Sequence, residues 1–229
     1  MKNTFLKIGH RGACGHEPEN TIISFKKALE LNVDVIEFDV YTLKDGHTVV
    51  LHDDTLERTT NGTGKIMDKT FEEIRKLDAG KGEKIPTLEE VLDVIDRKVL
   101  VDIELKGEKT AKPTLEIIEK YIKEKNWSYE DFLISSFNIR ELKDLRNINK
   151  NIKVGILISK DPDNYYELAK ELNAQFLGLD KELVNKEFIE KAHEKGLKVF
   201  SWTDNKIEEI NKFKEFGIDG ICSNYPDKL

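Results

Sequence analysis

Apolar residues recur along this chain in two rhythms that take turns from end to end. Short runs rich in Val, Ile, Leu and Phe read as strands at Phe5–Ile8, Val33–Val40, Val99–Leu105, Phe132–Ser135, Val154–Ile158, Gln175–Leu179, Leu197–Trp202 and Ile218–Cys222. Between them, apolar positions spaced three and four apart predict helices over Thr21–Leu31, Thr87–Asp96, Thr110–Lys125, Ile139–Asn147, Pro162–Leu172, Lys186–Lys195 and Lys206–Phe216. Eight strands alternating with helices predict an α/β architecture, a (β/α)8 TIM-like barrel. No Gly/Ser-rich linker divides the 229 residues, so one barrel domain spanning 1–229 is expected.

The interval from Tyr41 to Pro86 breaks the rhythm. Lys44-Asp45-Gly46 is a turn signal, and Thr48–His52 reads as a short extra strand. "LERTTNGTGKIMD" follows, rich in turn formers, and then a short helix near Thr70–Lys76. This is expected to be an insertion after the second strand, about residues 44–85, on the barrel face where such enzymes keep their sites.

Candidate chemistry comes from reading the strands with period two. In the second strand Ile36, Phe38 and Val40 share the face toward the outer helices, while Val35, Glu37 and Asp39 face the barrel interior. The third strand repeats this, with Leu100, Asp102, Glu104 and Lys106 inward. Carboxylates gathered in a barrel interior are unfavourable without a positive partner. A divalent cation held by Glu37, Asp39 and Glu104 answers that need, and an all-oxygen ligand set favours Mg²⁺ or Ca²⁺, with Mn²⁺ a further candidate. The alternative is a structural ion network in which the same carboxylates pair with Arg11 and Lys106.

His10 ends the first strand and His52 ends the extra strand, on the same rim. A pair of imidazoles suits general acid and base work near neutral pH. Arg11 and Lys106 suit phosphate oxygens, although Arg11 has Glu17 and Glu19 as local partners. Trp202, at the end of the seventh strand, either closes over a ligand or packs the rim. His16 sits in the first loop and could line the mouth; His47 lies beside a turn, and His193 on a Lys/Glu-rich helix face. Cys14 and Cys222 form no metal or redox motif and read as two small inert residues in neighbouring loops.

Composition narrows the partners. With 37 basic against 44 acidic residues the formal charge is −7, which argues against nonspecific nucleic-acid binding and against stable docking on anionic membranes. The apolar run in MKNTFLKIGHRG is too short for a signal peptide, no stretch reaches membrane-helix length, and the cysteine usage suits a reducing, cytoplasmic setting. A small-molecule partner is expected, with the chain as monomer or homodimer.

Beyond these readings, "GHRGACGHEPENTIISFKKAL", "DVIEFDVYTLKDGHTVVLHDDTLERTTNGTG", "KLDAG", "IPTLEEVLD" and "VDIELKG" resemble the glycerophosphodiester phosphodiesterase family in order and spacing. "ISSF", "SWTDN" and "GIDGICSNYPD" carry the resemblance nearly to the C-terminus. It implies a TIM-like barrel with an insertion after strand two, and metal-dependent hydrolysis of a glycerophosphodiester to sn-glycerol 3-phosphate and an alcohol. On matching positions it implies Glu37, Asp39 and Glu104 as metal ligands and His10 and His52 as the acid/base pair. Arg11, Lys106 and Trp202 would contact substrate. The chain departs from the family's usual pattern at Asn32 or Val33, at Asp204-Asn205 and in "CSN", which leaves the shape of the leaving-group pocket open. Alternatives on the same barrel are a lysophospholipase D and a cyclising, phospholipase C-like enzyme. A metal-dependent isomerase or aldolase and a noncatalytic phosphate-binding barrel are more distant ones.

Overall fold

The computed structural model describes residues 5–160 and 165–229. Its sheet contains β1 (Leu6–Gly9), β2 (Val35–Thr42), β3 (Thr48–Val50), β4 (Leu100–Leu105), β5 (Phe132–Ser136), β6 (Lys153–Ile158), β7 (Phe176–Asp180), β8 (Lys198–Trp202) and β9 (Gly220–Ser223). All the neighbouring pairs are parallel except β2–β3, and the β1–β2 pairing closes the sheet on itself. Strands β1, β2 and β4–β9 therefore form the expected eight-stranded barrel, with β3 as an antiparallel annex on β2.

The helices are α1 (Ile22–Glu30), α2 (Phe71–Ile74), α3 (Leu88–Ile95), α4 (Ala111–Glu124), α5 (Ile139–Ile148), α6 (Tyr165–Glu171), α7 (Lys186–Glu194) and α8 (Ile207–Glu215). Each longer one matches an expected helix within a few residues, and several carry polar caps at their N-termini. Thr21 caps α1, and Thr87 with Glu90 forms a capping box on α3. The predicted start of the sixth helix, Pro162, lies outside the described residues.

Outward strand residues such as Ile36, Phe38, Val101 and Ile103 join the helices in one large core. The barrel interior is filled separately, by Ile8, Val35, Leu133, Phe176, Phe200 and Cys222. Two large rings fit because β6 supplies a glycine beside them: a Cβ at Gly155 would lie 2.1 Å from the Phe176 ring. Phe176 and Phe200 pack at 4.9 Å between centroids and plug the barrel below the rim. The segment between β2 and α3 wraps its own small core of Leu43, Val49, Leu51, Leu56, Ile66, Ile74 and Ile85 and stands over the C-terminal rim.

Candidate active site

Strand register brings the carboxylates together. Glu37 pairs with Asp102 and Asp39 with Glu104 across β2 and β4, so the inward residues of the two strands stand side by side. Oxygens from Glu37, Asp39 and Glu104 lie within 4.8 Å of one another, and all three side chains are buried. Burial, then Asp39, pushes Glu104 up to about 8. Burial followed by Asp39 and Glu104 likewise holds Glu37 well above the usual carboxylate range. Asp102, one step deeper, is raised to about 7 by burial, although Ser135 donates to it at 2.9 Å. Asp39 Oδ1 is buried with no hydrogen-bond donor. Three convergent carboxylate oxygen donors fit a hard divalent cation.

Two cations also reach these carboxylates, the contacts that the network alternative expects. Lys106 Nζ lies 2.9 Å from Glu104 and 3.8 Å from Asp39, and Arg11 Nε lies 3.5 Å from Asp39. Arg11 also donates to Glu19 at 2.7 Å, while Glu17 pairs instead with Lys81. The geometry that aims Arg11 inward is strained. Its φ of 49° lies in the left-handed region, and Gly12 follows at φ 87°. A Cβ on Gly12 would meet Ser24 Oγ at 2.4 Å. Ser24 on α1 secures the turn by donating to the Arg11 carbonyl, and the Arg11 N–H is left to donate to Glu37 at 2.9 Å.

His10 and His52 face the same cavity from different elements. That cavity, about 140 Å³, is also lined by Glu37, Glu104, Lys106, Phe137 and Trp202. His10 Nδ1 meets Asn224 Oδ1 at 2.6 Å, which keeps the proton on Nδ1 and leaves Nε2 free. Burial and the neighbouring Arg11 pull this imidazole down to about 4, so it is neutral at pH 7. His52 Nδ1 meets Asp53 Oδ1 at 2.6 Å, and Lys106 Nζ donates to its Nε2 at 3.3 Å. Trp202 packs edge-on against Phe137 at 5.4 Å, and its buried indole N–H has no acceptor.

The other singled-out residues lie elsewhere or play other parts. His16 is tied to Asp227 at 2.7 Å, His47 stacks on Phe71, and His193 holds the buried Asp219 at 2.7 Å rather than facing only solvent. Cys14 donates to Asn224 at 3.1 Å and is pushed up to about 12 by burial; Cys222 points into the barrel rather than a loop. Sequence reasoning missed Asn224, Asp53 and Arg58, and also Asn20, which donates to Asp39 at 2.9 Å. Only Asp53 left a local trace, as the neighbour of His52.

Clustered carboxylates, two imidazoles and two cations thus stand together on the C-terminal rim of such a barrel, the groups that phosphodiester chemistry calls for. Comparison with known proteins narrows this class. The model of the Glycerophosphoryl diester phosphodiesterase family matches residues 10–228, and the chain belongs to that family. It is 41% identical over 234 residues to a glycerophosphodiester phosphodiesterase of Caldanaerobacter subterraneus subsp. tengcongensis, covering 98% of this chain and 96% of that one. A Bacillus subtilis glycerophosphodiester phosphodiesterase is 33% identical, covering 97% of this chain and 84% of its own length. Among solved structures, the Oleispira antarctica phosphodiesterase in complex with the product sn-glycerol-3-phosphate superposes with a TM-score of 0.89. It shares 31% identity, and the match covers 96% of this chain and 93% of that one.

Proposed function

We propose that this chain hydrolyses small glycerophosphodiesters to sn-glycerol 3-phosphate and an alcohol, with Glu37, Asp39 and Glu104 holding one divalent cation. The observation that carries this reading is the convergence of those three buried carboxylates beside one cavity, which Glu37 and Glu104 line together with both histidines and both cations. When bound, the cation would supply Lewis-acid stabilisation of charge on the phosphoryl oxygens. Mg²⁺ or Ca²⁺ suits the all-oxygen set, and Mn²⁺ is the third ion to test.

The chain's own groups do the rest. Arg11 and Lys106 hold nonbridging oxygens, exchanging their carboxylate contacts for phosphate. One imidazole takes a proton from the nucleophile, a glycerol hydroxyl or water, through its Nε2, and the other gives a proton to the departing alcohol oxygen. Their hydrogen bonds to Asn224 and Asp53 orient Nε2 of both rings toward the reacting atoms. Trp202 and Phe137 wall the glycerol side, and the unpaired indole N–H offers a donor to a bound hydroxyl. We place the reaction in the cytoplasm, where Cys14 and Cys222 remain free thiols.

Release of glycerol 3-phosphate from glycerophosphocholine and glycerophosphoethanolamine tests the reading, with enzyme stripped of metal and then resupplied with each ion. Metal-dependent release is the expected result, and His10→Ala and His52→Ala should each lose about 10²- to 10⁴-fold in kcat. Cleavage of lysophosphatidylcholine in preference to both diesters would move the assignment to a lysophospholipase D. No turnover of any of these substrates would overturn it.

A further inference from the structure

Arg58 lies in the segment that overhangs the rim and is about half-exposed, its side chain 48% accessible, outside the cavity lining. Its guanidinium nevertheless makes four short hydrogen bonds. Nε and Nη2 reach the two oxygens of Asp53 at 2.6 and 2.9 Å, and Nη1 and Nη2 reach the two oxygens of Glu19, each at 2.7 Å. Each carboxylate then touches one proposed functional group. Asp53 Oδ1 is the 2.6 Å partner of His52 Nδ1, and Glu19 Oε1 is the 2.7 Å partner of Arg11 Nη1.

We propose that Arg58 is a positioning residue, orienting His52 through Asp53 and Arg11 through Glu19 and so registering the proton-handling and phosphate-holding groups to each other. This rests on the roles given to His52 and Arg11 under the proposed function. The chemistry of the side chain supports it. A planar fork gripping both oxygens of a carboxylate fixes that carboxylate's rotation, whereas a lysine ammonium is a point charge that fixes none. With both Asp53 oxygens held, the imidazole has one direction in which its Nδ1–H can donate. Glu19 sits 39 residues before Arg58 in the chain, on the loop after β1, so the fork also joins two separate parts of the rim. The fork lies on the rim rather than in a core, and what its four bonds fix is the direction of two carboxylates that each face a functional group. A second ion pair bridges the same two segments, Lys81 to Glu17 at 2.6 Å, and it touches neither His52 nor Arg11. It is therefore the natural control.

The test combines glycerophosphocholine kinetics with nitrogen-15 spectra of the His52 ring, using holoenzyme of the wild type and of Arg58→Lys, Arg58→Ala, Asp53→Asn and Lys81→Asn. Removing a partner that orients a functional group costs about 10- to 100-fold in activity. Both Arg58 variants should lose kcat on that scale while remaining folded at the assay temperature, and Arg58→Ala should also raise KM through the loosened Arg11. The double variant Arg58→Ala/Asp53→Asn should lose no more kcat than the worse single, because both act on one imidazole. Lys81→Asn should stay within about two-fold of wild type. The His52 ring should show the Nδ1–H tautomer in wild type and Lys81→Asn, and a mixture in Arg58→Ala. Wild-type kinetics in Arg58→Ala, additive losses in the double variant, or an unchanged His52 tautomer would each overturn the proposal. A wild type inert on glycerophosphodiesters, with the tautomer still lost in Arg58→Ala, would overturn the functional reading while upholding the positioning role.

Discussion

At Asp204 a carboxylate is fully enclosed, its Oδ2 accepting from Ser201 and its Oδ1 from nothing. Burial, with Glu209 adding to it, raises this group to about 6 against the Ser201 hydrogen bond, while the unfolded chain would titrate it near 3.8. Between those two values the folded state binds the extra proton, so stability from this group is present below pH 4 and lost as pH rises to about 6. The difference in urea midpoint between wild type and Asp204→Asn should therefore drift against wild type from pH 4 to 7, and then level off. A pH-independent difference would show that Asp204 is not held protonated. The same scale shows what was legible residue by residue. Glu37, Asp39 and Glu104 could be found because a two-residue period reports which face a side chain takes. Asn224 could not, since His10 lies 214 residues away, and Arg58 could not, since only its Asp53 contact is local while Glu19 lies 39 residues off.

Among the elements, helix ends were readable wherever the cap is local, as at Thr21, Thr70 and Thr87. The start of α4 was placed as closely, within one residue, but its cap is not local. Thr110 makes no side-chain cap; instead Glu141, from α5, accepts from the backbone N–H groups of Lys109, Thr110 and Ala111 at 2.6, 2.9 and 2.8 Å. A negative charge at a helix N-terminus also complements the macrodipole. Glu141→Gln keeps the shape but loses charge-assisted bonds, and should cost roughly 1–3 kcal/mol in urea denaturation with activity unchanged. A loss below about 0.5 kcal/mol would mean water caps α4 equally well. The segment after β2 was recognised by its broken rhythm, but its packing over the rim was not, because turn-forming residues announce turns without saying where the chain then goes.

For the molecule as a whole, barrel closure concentrates the unfavourable charge. Closing β1 onto β2 sets Arg11 against the β2 carboxylates, and the β2–β4 register adds those of β4. A cation bound there should stabilise the native state by mass action, about 2.7 kcal/mol at a hundred times Kd. Thermal unfolding should therefore shift upward on adding Mg²⁺, Ca²⁺ or Mn²⁺ to stripped protein, and Asp39→Asn should abolish the shift. An equal shift in that variant would place the ion elsewhere. Among the described residues no helix is long and apolar enough to cross a membrane.

By itself the sequence determined the alternation of strands and helices, the faces on which the carboxylates stand and the positions of both histidines, because periodicity and capping are local properties of the chain. Tertiary structure alone decided which carboxylate oxygens converge, that Asn224 meets His10, and that Arg58 reaches across the rim to Glu19. Those facts depend on strand register and on how a turn-rich segment folds back, which are set by contacts between residues distant in the chain.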